Sequence, residues 1–172
     1  MSTIPSELAS RLASDQVIIF VGAGASKALG LPTYPELMRQ IGELLDFDGD
    51  LFQGFGDYLT LAEFYYLRRK GLRELQGYLR GNWRRSRAEI LKSDVHRAIV
   101  ALGCSLIYTT NFDGFLEQTH RGMGKRYRTI RSVKDLVDSK PERVQIVKLH
   151  GDLSNSSTLV FTESSYFERL RN

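Results

Sequence analysis

A length of 172 residues with 42% hydrophobic residues allows one domain with a hydrophobic core and is too short for two. The single cysteine, Cys104, excludes an internal disulfide and a four-cysteine metal site, and no apolar run or N-terminal signal indicates a membrane or secreted protein. The net charge of +4 is a modest basic excess, so we expect a soluble cytoplasmic protein.

The first predicted elements are an amphipathic helix over residues 5–14 and a buried strand over residues 17–21. The strand runs into Gly22-Ala23-Gly24-Ala25-Ser26, which predicts a tight turn and the start of a helix. Glycines at such a turn let a ligand approach the backbone, and the N–H groups of the following helix attract phosphate. The third glycine of the dinucleotide-binding fingerprint is missing, because position 27 is Lys27. Alone, the turn is equally consistent with one that binds nothing.

The long interval between the first and second strands is predicted to be almost entirely helical. Its segments are a turn at 26–29, a helix from Glu36, helices over 57–79 broken at Gly71 and Gly77, and a helix over 90–102 with Asp94 as N-cap. The interval is too long for a single crossover, so we predict an inserted helical module over about residues 34–103.

Basic residues concentrate at 80–87 around the only tryptophan, Trp83. Such a patch can contact nucleic-acid phosphates. A solvated helix face is the more common role, so nucleic-acid binding is the less favoured interpretation.

Two later strands also end in polar residues. Residues 106–109 run into Thr110-Asn111-Phe112-Asp113, and residues 144–149 run into His150-Gly151. In an open parallel sheet, ligands bind outside the carboxyl ends of the strands. We therefore predict that three strand ends converge on one crevice.

The remaining segments connect and follow these strands. A helix is predicted after Asp113, a loop at 121–124, a short helix capped by Ser132, a candidate short strand at 158–161, and a final helix from 162. The further strands of a doubly wound sheet are missing, so we expect the N-terminal part of a longer chain, truncated at its C-terminus.

Together, the three strand-end motifs resemble those of the sirtuin family. The turn at 22–26 with Gly30-Leu31-Pro32 resembles the NAD-binding turn, residues 110–113 resemble the element beside the nicotinamide ribose, and Leu149-His150-Gly151 resembles the catalytic His-Gly. Residues 159–166 are also similar to the sirtuin-like domains of bacterial anti-phage proteins. The chain lacks the zinc module of deacylase sirtuins and has Thr33-Tyr34 in place of the common Phe-Arg. Both departures favour the divergent bacterial branch, whose members typically hydrolyse NAD.

The resemblance implies a Rossmann-like parallel sheet with helices on both faces, forming a single sirtuin-like domain over residues 1–172. It implies NAD as the substrate, no metal, and the following NAD-binding residues: Gly22, Ala23, Gly24, Ala25, Ser26, Pro32, Thr110, Asn111, Asp113 and Gly151. His150, Asn111 and Asp113 are the candidate catalytic residues. His150 would accept a proton, Asn111 would orient a water, and Asp113 would hold Asn111 or the ribose hydroxyls.

Each of these side chains also has a purely structural interpretation. His150 can be a structural hydrogen-bonding group, Asp113 a helix cap, and Asn111 a turn residue whose side chain bonds the local backbone. Surface or packing roles are expected for the other two histidines, His96 and His120. Lys27 and Lys148 are candidate neighbours of an anion.

The predicted function is an NAD hydrolase that releases nicotinamide and ADP-ribose as the effector of a prokaryotic anti-phage defence. Two alternatives remain, an NAD-dependent protein-lysine deacylase and a non-catalytic module that binds NAD or ADP-ribose. By analogy, we expect a homo-oligomer with a fused or separate partner, which is a nucleoside triphosphatase, an Argonaute-like protein or a sensor module.

Overall fold

A computed structural model describes residues 5–46, 57–137 and 144–171. Four parallel strands form its sheet: β1 Ile18–Val21, β2 Leu106–Thr109, β3 Tyr127–Ile130 and β4 Val144–Lys148. Their order is β1-β2-β4-β3, which confirms the α/β class with a parallel sheet. Because β2 lies between β1 and β4, the three strand ends singled out in the sequence are neighbours.

Helices surround this sheet. Within the described ranges they are α1 Ser6–Ala13, α2 Ala23–Lys27, α3 Tyr34–Leu44, α4 Tyr58–Arg69, α5 Arg73–Asn82, α6 Arg87–Lys92, α7 Asp94–Ala101, α8 Phe115–Gly122, α9 Val133–Val137 and α10 Glu163–Arg171, with a 3-10 turn at Ser156–Thr158. None of the helices in these ranges has the length and apolar character needed to cross a bilayer.

The helix predicted over 90–102 is in fact two helices, α6 and α7. Ser93 separates them: its extended backbone (ψ 107°) makes it the N-cap of α7, and Asp94, the predicted cap, is the first helical residue. Gly77 was wrongly predicted to break the second helical segment. It lies inside α5, because the buried Leu75 and Leu79 anchor the turns on both sides and outweigh the roughly 1 kcal/mol cost of a glycine.

Two predictions about strands were also incomplete. The four-residue edge strand β3, whose partner is β4, was not predicted. Residues 158–161 are not a strand, because they pair with a loop: the Val160 N–H donates to the His150 carbonyl at 3.0 Å.

One hydrophobic core lies between the sheet and α8. Its buried members are Val21, Ile107 and Ile146 from β1, β2 and β4, together with Leu116 from α8. Alternate β1 residues point to the other face, where Ile18 and Phe20 are 61% and 65% exposed. The helices therefore flank the sheet unevenly in the described part of the chain.

A second core joins the helices before β2 to the loops after β2 and β4. It contains the buried apolar residues of α3, α4 and α5 together with Phe112, Leu153 and Phe161. These helices consequently pack onto the loops at the carboxyl edge of the sheet. The boundaries of the inserted module, 34–103, stay a prediction, and residues 47–56 of it lie outside the described residues.

Candidate active site

A cavity of about 360 Å³ lies at the carboxyl ends of β1, β2 and β4. Its walls include the following predicted site residues: Ala23, Ser26, Pro32, Thr110, Asn111, Asp113 and His150. The three strand ends therefore meet in one crevice, as predicted. Gly22, Gly24, Ala25 and Gly151 flank it without lining it.

The turn after β1 leaves open space beside its glycines. Gly22 has an extended backbone (φ −106°, ψ −176°) that any residue adopts. A Cβ atom added at Gly22 or Gly24 would meet no heavy atom of the described residues within 4 Å. Neither conformation nor packing requires glycine here, and the space gives a ligand access to the backbone. The Ala25 N–H, expected to bind phosphate, already donates to the Gly22 carbonyl at 3.1 Å.

Hydrogen bonds join the ends of β1 and β2 through Asn111 and Ser26. Asn111 Nδ2 donates to the Gly22 carbonyl and to Ser26 Oγ, both at 3.0 Å. Because the carbonyl only accepts, these bonds fix the orientation of the amide and leave Oδ1 as its group for a ligand. Asn111 therefore bonds a strand end 89 residues away. This is incompatible with its alternative role as a local turn residue.

Asp113 has two structural roles at once. One carboxylate oxygen accepts from Ser26 Oγ at 2.7 Å, and the other accepts from the Phe115 N–H at 3.0 Å. The second bond satisfies the N–H of Phe115, the first residue of α8 after its N-cap Gly114, so Asp113 supports the start of this helix much as its structural alternative expects. The first bond holds Asn111 indirectly, through Ser26. The hydroxyl of Ser26, one of the expected NAD-binding residues, thus donates its proton within the protein.

His150 is half-buried in the crevice wall. Its ring lies 6.3 Å from that of Phe112 and 6.5 Å from that of Tyr166, measured between centroids. Burial, with the Arg169 charge as a smaller cause, lowers the pKa of His150 below its ordinary 6.5. The imidazole is therefore neutral at neutral pH, the form that accepts a proton.

The other two histidines lie away from the crevice and are buried, so the surface role is wrong and the packing role is right. His96 Nδ1 bonds Ser93 Oγ at 2.8 Å, and His120 Nδ1 bonds the Leu116 carbonyl at 2.9 Å. Burial lowers the pKa of both rings. Both are neutral packing residues at neutral pH.

The backbone at Gly151 fixes the path of the chain after His150. Gly151 has φ +77°, and an added Cβ would lie 1.9 Å from the Thr158 carbonyl oxygen. Glycine is therefore required here by both conformation and space. The role of Gly151 in the structure is to let the loop after β4 pass close to residues 158–159.

Aromatic residues outside the predicted site complete the crevice. Tyr34, Trp83, Phe112 and Tyr166 line it. Tyr34 begins α3, which starts with a capping box in which Thr33 and Glu36 bond each other, a spacing visible in the sequence. Burial, assisted by the Asp57 charge, raises the pKa of Tyr34 to about 12, so its hydroxyl stays protonated.

A buried charge cluster supports the loop after β2. Lys148, at the end of β4, is completely buried, and its Nζ donates to the carbonyls of Phe112 and Asp113. The same ammonium lies 2.9 Å from Asp152 Oδ2 and 3.5 Å from Glu117 Oε1. Lys148 is therefore paired inside the protein, which corrects its expected place beside a bound anion. Lys27, the other candidate, makes an exposed pair with Glu36 at 3.2 Å.

The two carboxylates of this cluster differ in their pKa values. Burial raises the pKa of Glu117, because Lys148 is too far away to offset the full cost of burying its charge. For Asp152, burial acts in the same direction, but the Lys148 charge and hydrogen bonds from Lys148 and Ser154 lower its pKa overall. Asp152 is thus the ionised partner of Lys148.

No group of three or more His, Cys, Asp or Glu side chains in the described ranges has an arrangement that could hold a metal ion. Residues 105–172 match the family model of the SIR2-like domain. This segment of the chain is similar to SIR2-like domains. The resemblance to sirtuins is thereby confirmed over the segment that contains β2, β4 and His150.

The chain is also homologous to proteins named NAD(+) hydrolase ThsA. It is 29% identical over 161 residues to the one from Cytobacillus dafuensis, a match that covers 93% of this chain and 31% of the relative. It is 30% identical over 150 residues to that of Enterococcus faecium, which covers 86% of this chain and 30% of the relative. The protein of Acinetobacter baumannii (strain 532279) is 27% identical over 160 residues, a match that covers 92% of this chain and 32% of the relative. The chain thus spans about a third of the length of these relatives.

Proposed function

We propose that this SIR2-like domain hydrolyses NAD to nicotinamide and ADP-ribose. The observation that carries the proposal is the meeting of Asn111 and a neutral His150 in one crevice next to an open glycine turn. The names of the ThsA relatives support the same reaction. The cavity of about 360 Å³ has the size of a small-molecule site.

In this proposal the turn at 22–26 binds the pyrophosphate of NAD, with Pro32, Thr110 and Gly151 shaping the site around the nicotinamide ribose. The C–N bond between the ribose and nicotinamide breaks, and its electron pair neutralises the positive ring nitrogen of nicotinamide. The ribose carbon becomes oxocarbenium-like, as in glycoside cleavage, and a water oxygen bonds to it. Nicotinamide then leaves as a neutral molecule.

Asn111 and His150 act on the attacking water. Asn111 Oδ1 accepts a hydrogen bond from the water and orients it, since both Nδ2 hydrogens are engaged. His150 accepts the proton that the water loses. Asp113 contributes by holding Ser26, and through it Asn111, in place.

The cellular role forms a wider part of the proposal. We propose a cytoplasmic effector of anti-phage defence that works as a homo-oligomer with a fused or separate partner, such as a nucleoside triphosphatase, an Argonaute-like protein or a sensor. The exposed apolar side chains Ile18 and Phe20 support a contact with another protein surface. Light scattering of the purified protein tests the oligomer, and a monomer at all concentrations contradicts it.

Product analysis by chromatography tests the reaction itself. The protein is incubated with NAD alone, and the proposal predicts nicotinamide and ADP-ribose in equal amounts. Release that requires an acyl-lysine peptide would instead establish a deacylase. NAD binding without any product, in the presence of the activating partner, would establish a binding module.

A further inference from the structure

A second cavity, of about 760 Å³, lies next to the crevice and is lined by basic residues. Five arginines from three parts of the chain contribute to it: Arg80, Arg84, Arg85, Arg121 and Arg131. Trp83, Phe112 and Asp113 line both cavities and form the wall between them. We call this second cavity the arginine groove.

Two of the arginines are held rigidly by backbone carbonyls. Arg80 Nε donates to the Leu153 carbonyl at 2.8 Å, and Arg85 Nε donates to the Leu29 carbonyl at 2.7 Å. Carbonyl oxygens do not neutralise the guanidinium charge. These residues therefore present fixed positive charge to the groove at no further cost of ordering their side chains.

The other arginines have donors to spare. Arg131 Nε is buried and has no hydrogen-bond partner among the described residues, and its NH2 group is a long 3.4 Å from Asp152. The guanidinium of the exposed Arg84 makes no hydrogen bond or ion pair within the described part of the chain. A buried donor without an acceptor is costly, so an acceptor from a ligand would be favoured at Arg131.

The carboxylates of the groove are occupied within the protein. Asp152 pairs with Lys148 at 2.9 Å, and Asp113 accepts from Ser26 and Phe115. The third, Glu117, has a raised pKa because it is buried, which reduces its negative charge. Five guanidinium groups thus face three carboxylates that already have partners or a weakened charge.

Two aromatic rings complete the lining. Trp83 lies on the wall shared with the crevice, and Tyr127 also lines the groove, where its hydroxyl accepts from Arg121 at 2.9 Å. Aromatic and guanidinium planes stack on nucleobases, while guanidinium groups bind phosphate. The volume fits a small ligand, whereas nucleic acid requires an extended basic surface.

We infer that the arginine groove binds a nucleoside phosphate, with its phosphate on Arg84, Arg121 and Arg131 and its base beside Trp83 or Tyr127. This site is separate from the proposed NAD crevice and does not depend on the reaction there. It gives a role to the basic stretch at 80–87, which the NAD crevice leaves unexplained.

Calorimetric titration of the protein with ADP tests the inference. We expect binding that weakens by about tenfold in Arg84→Gln and again in the double variant with Arg121→Gln, because each loses a charge-assisted hydrogen bond to phosphate. Arg87→Gln is the matched control: Arg87 is exposed on the same stretch, outside the groove, and its loss leaves binding unchanged. Both groove substitutions are at exposed side chains, so the variants stay folded.

Further arms separate this site from the crevice and from nucleic acid. Asn111→Ala alters the crevice, so ADP binding that persists in this variant and still weakens on addition of Arg84→Gln places the nucleotide in the groove. Loss of ADP binding in Asn111→Ala but not in Arg84→Gln would overturn the inference. An absence of ADP binding at millimolar concentration would also overturn the inference. So would the case in which an oligothymidine binds through the groove arginines and ADP does not bind.

Discussion

Substitution of Lys148 by Met tests whether the buried charge cluster holds the loop after β2. Lys148 is 0% exposed and Asp152 is 6% exposed, with 2.9 Å between their charged atoms. Removing Lys148 leaves the buried Asp152 charge with only the longer contact to Arg131 at 3.4 Å, and breaking a buried ion pair in this way costs about 3–5 kcal/mol. The Phe112 and Asp113 carbonyls lose their donor as well. A loss of this size is a large part of the about 5–15 kcal/mol by which native proteins are stable.

Urea unfolding followed by the fluorescence of the only tryptophan, Trp83, measures this loss. A double-mutant cycle with Asp152→Asn isolates the pair, and we expect a coupling free energy of about 2 kcal/mol or more. Lys27→Met is the matched control. The Lys27–Glu36 pair has a similar length, 3.2 Å, but its side chains are 59% and 42% exposed, so no measurable change is expected. Additive effects of Lys148→Met and Asp152→Asn, or equal effects of both lysine substitutions, would refute the reasoning.

Three further predictions concern the crevice. Ser26→Ala removes a buried hydroxyl that bonds two site residues, so the free energy of unfolding should fall by about 1–3 kcal/mol in urea titrations; an unchanged value would contradict the hydrogen-bond network. Gly151→Ala should prevent folding, because its Cβ would lie 1.9 Å from a carbonyl oxygen. Gly24→Ala, whose Cβ would meet no heavy atom of the described residues within 4 Å, should fold normally and bind NAD more weakly in calorimetry. Normal melting of the first variant, or undiminished NAD binding by the second, would contradict the geometry. The pH dependence of kcat/KM should show an acid limb below pH 6.5, since His150 must be neutral and its pKa is lowered. An acid limb above pH 6.5 would contradict the lowered pKa of His150, and a limb unaffected by His150→Ala would exclude its role as base.

The sequence was sufficient to predict the crevice because each of its strands is an apolar run that ends in a polar motif. Such runs identify β1, β2 and β4 without knowledge of their neighbours. The edge strand β3 has only four residues, including Arg128 and Thr129, and its conformation depends on pairing with β4. Predicting β3 therefore requires knowing that it pairs with β4.

The walls of the crevice and the charge cluster depend even more on tertiary contacts. Tyr34 and Trp83 reach the crevice because α3 and α5 pack on the loops after β2 and β4, a contact that periodicity does not reveal. Lys148 is buried because Glu117 and Asp152 supply carboxylates from two other positions in the chain. Lysine is almost never fully buried without such partners. Because the sequence alone does not show the two carboxylates beside Lys148, a place at the surface of the site was predicted for it.

The most direct test of the central proposal compares NAD binding and nicotinamide release in the wild-type protein and His150→Ala. His150 lies in the crevice wall without a side-chain hydrogen bond to other described residues, so its removal should leave the fold and NAD affinity nearly unchanged. We predict that nicotinamide release falls at least about 100-fold, the lower range for loss of a general base. Release at the wild-type rate by a variant that still binds NAD would contradict the assignment of His150 as the catalytic base of this crevice.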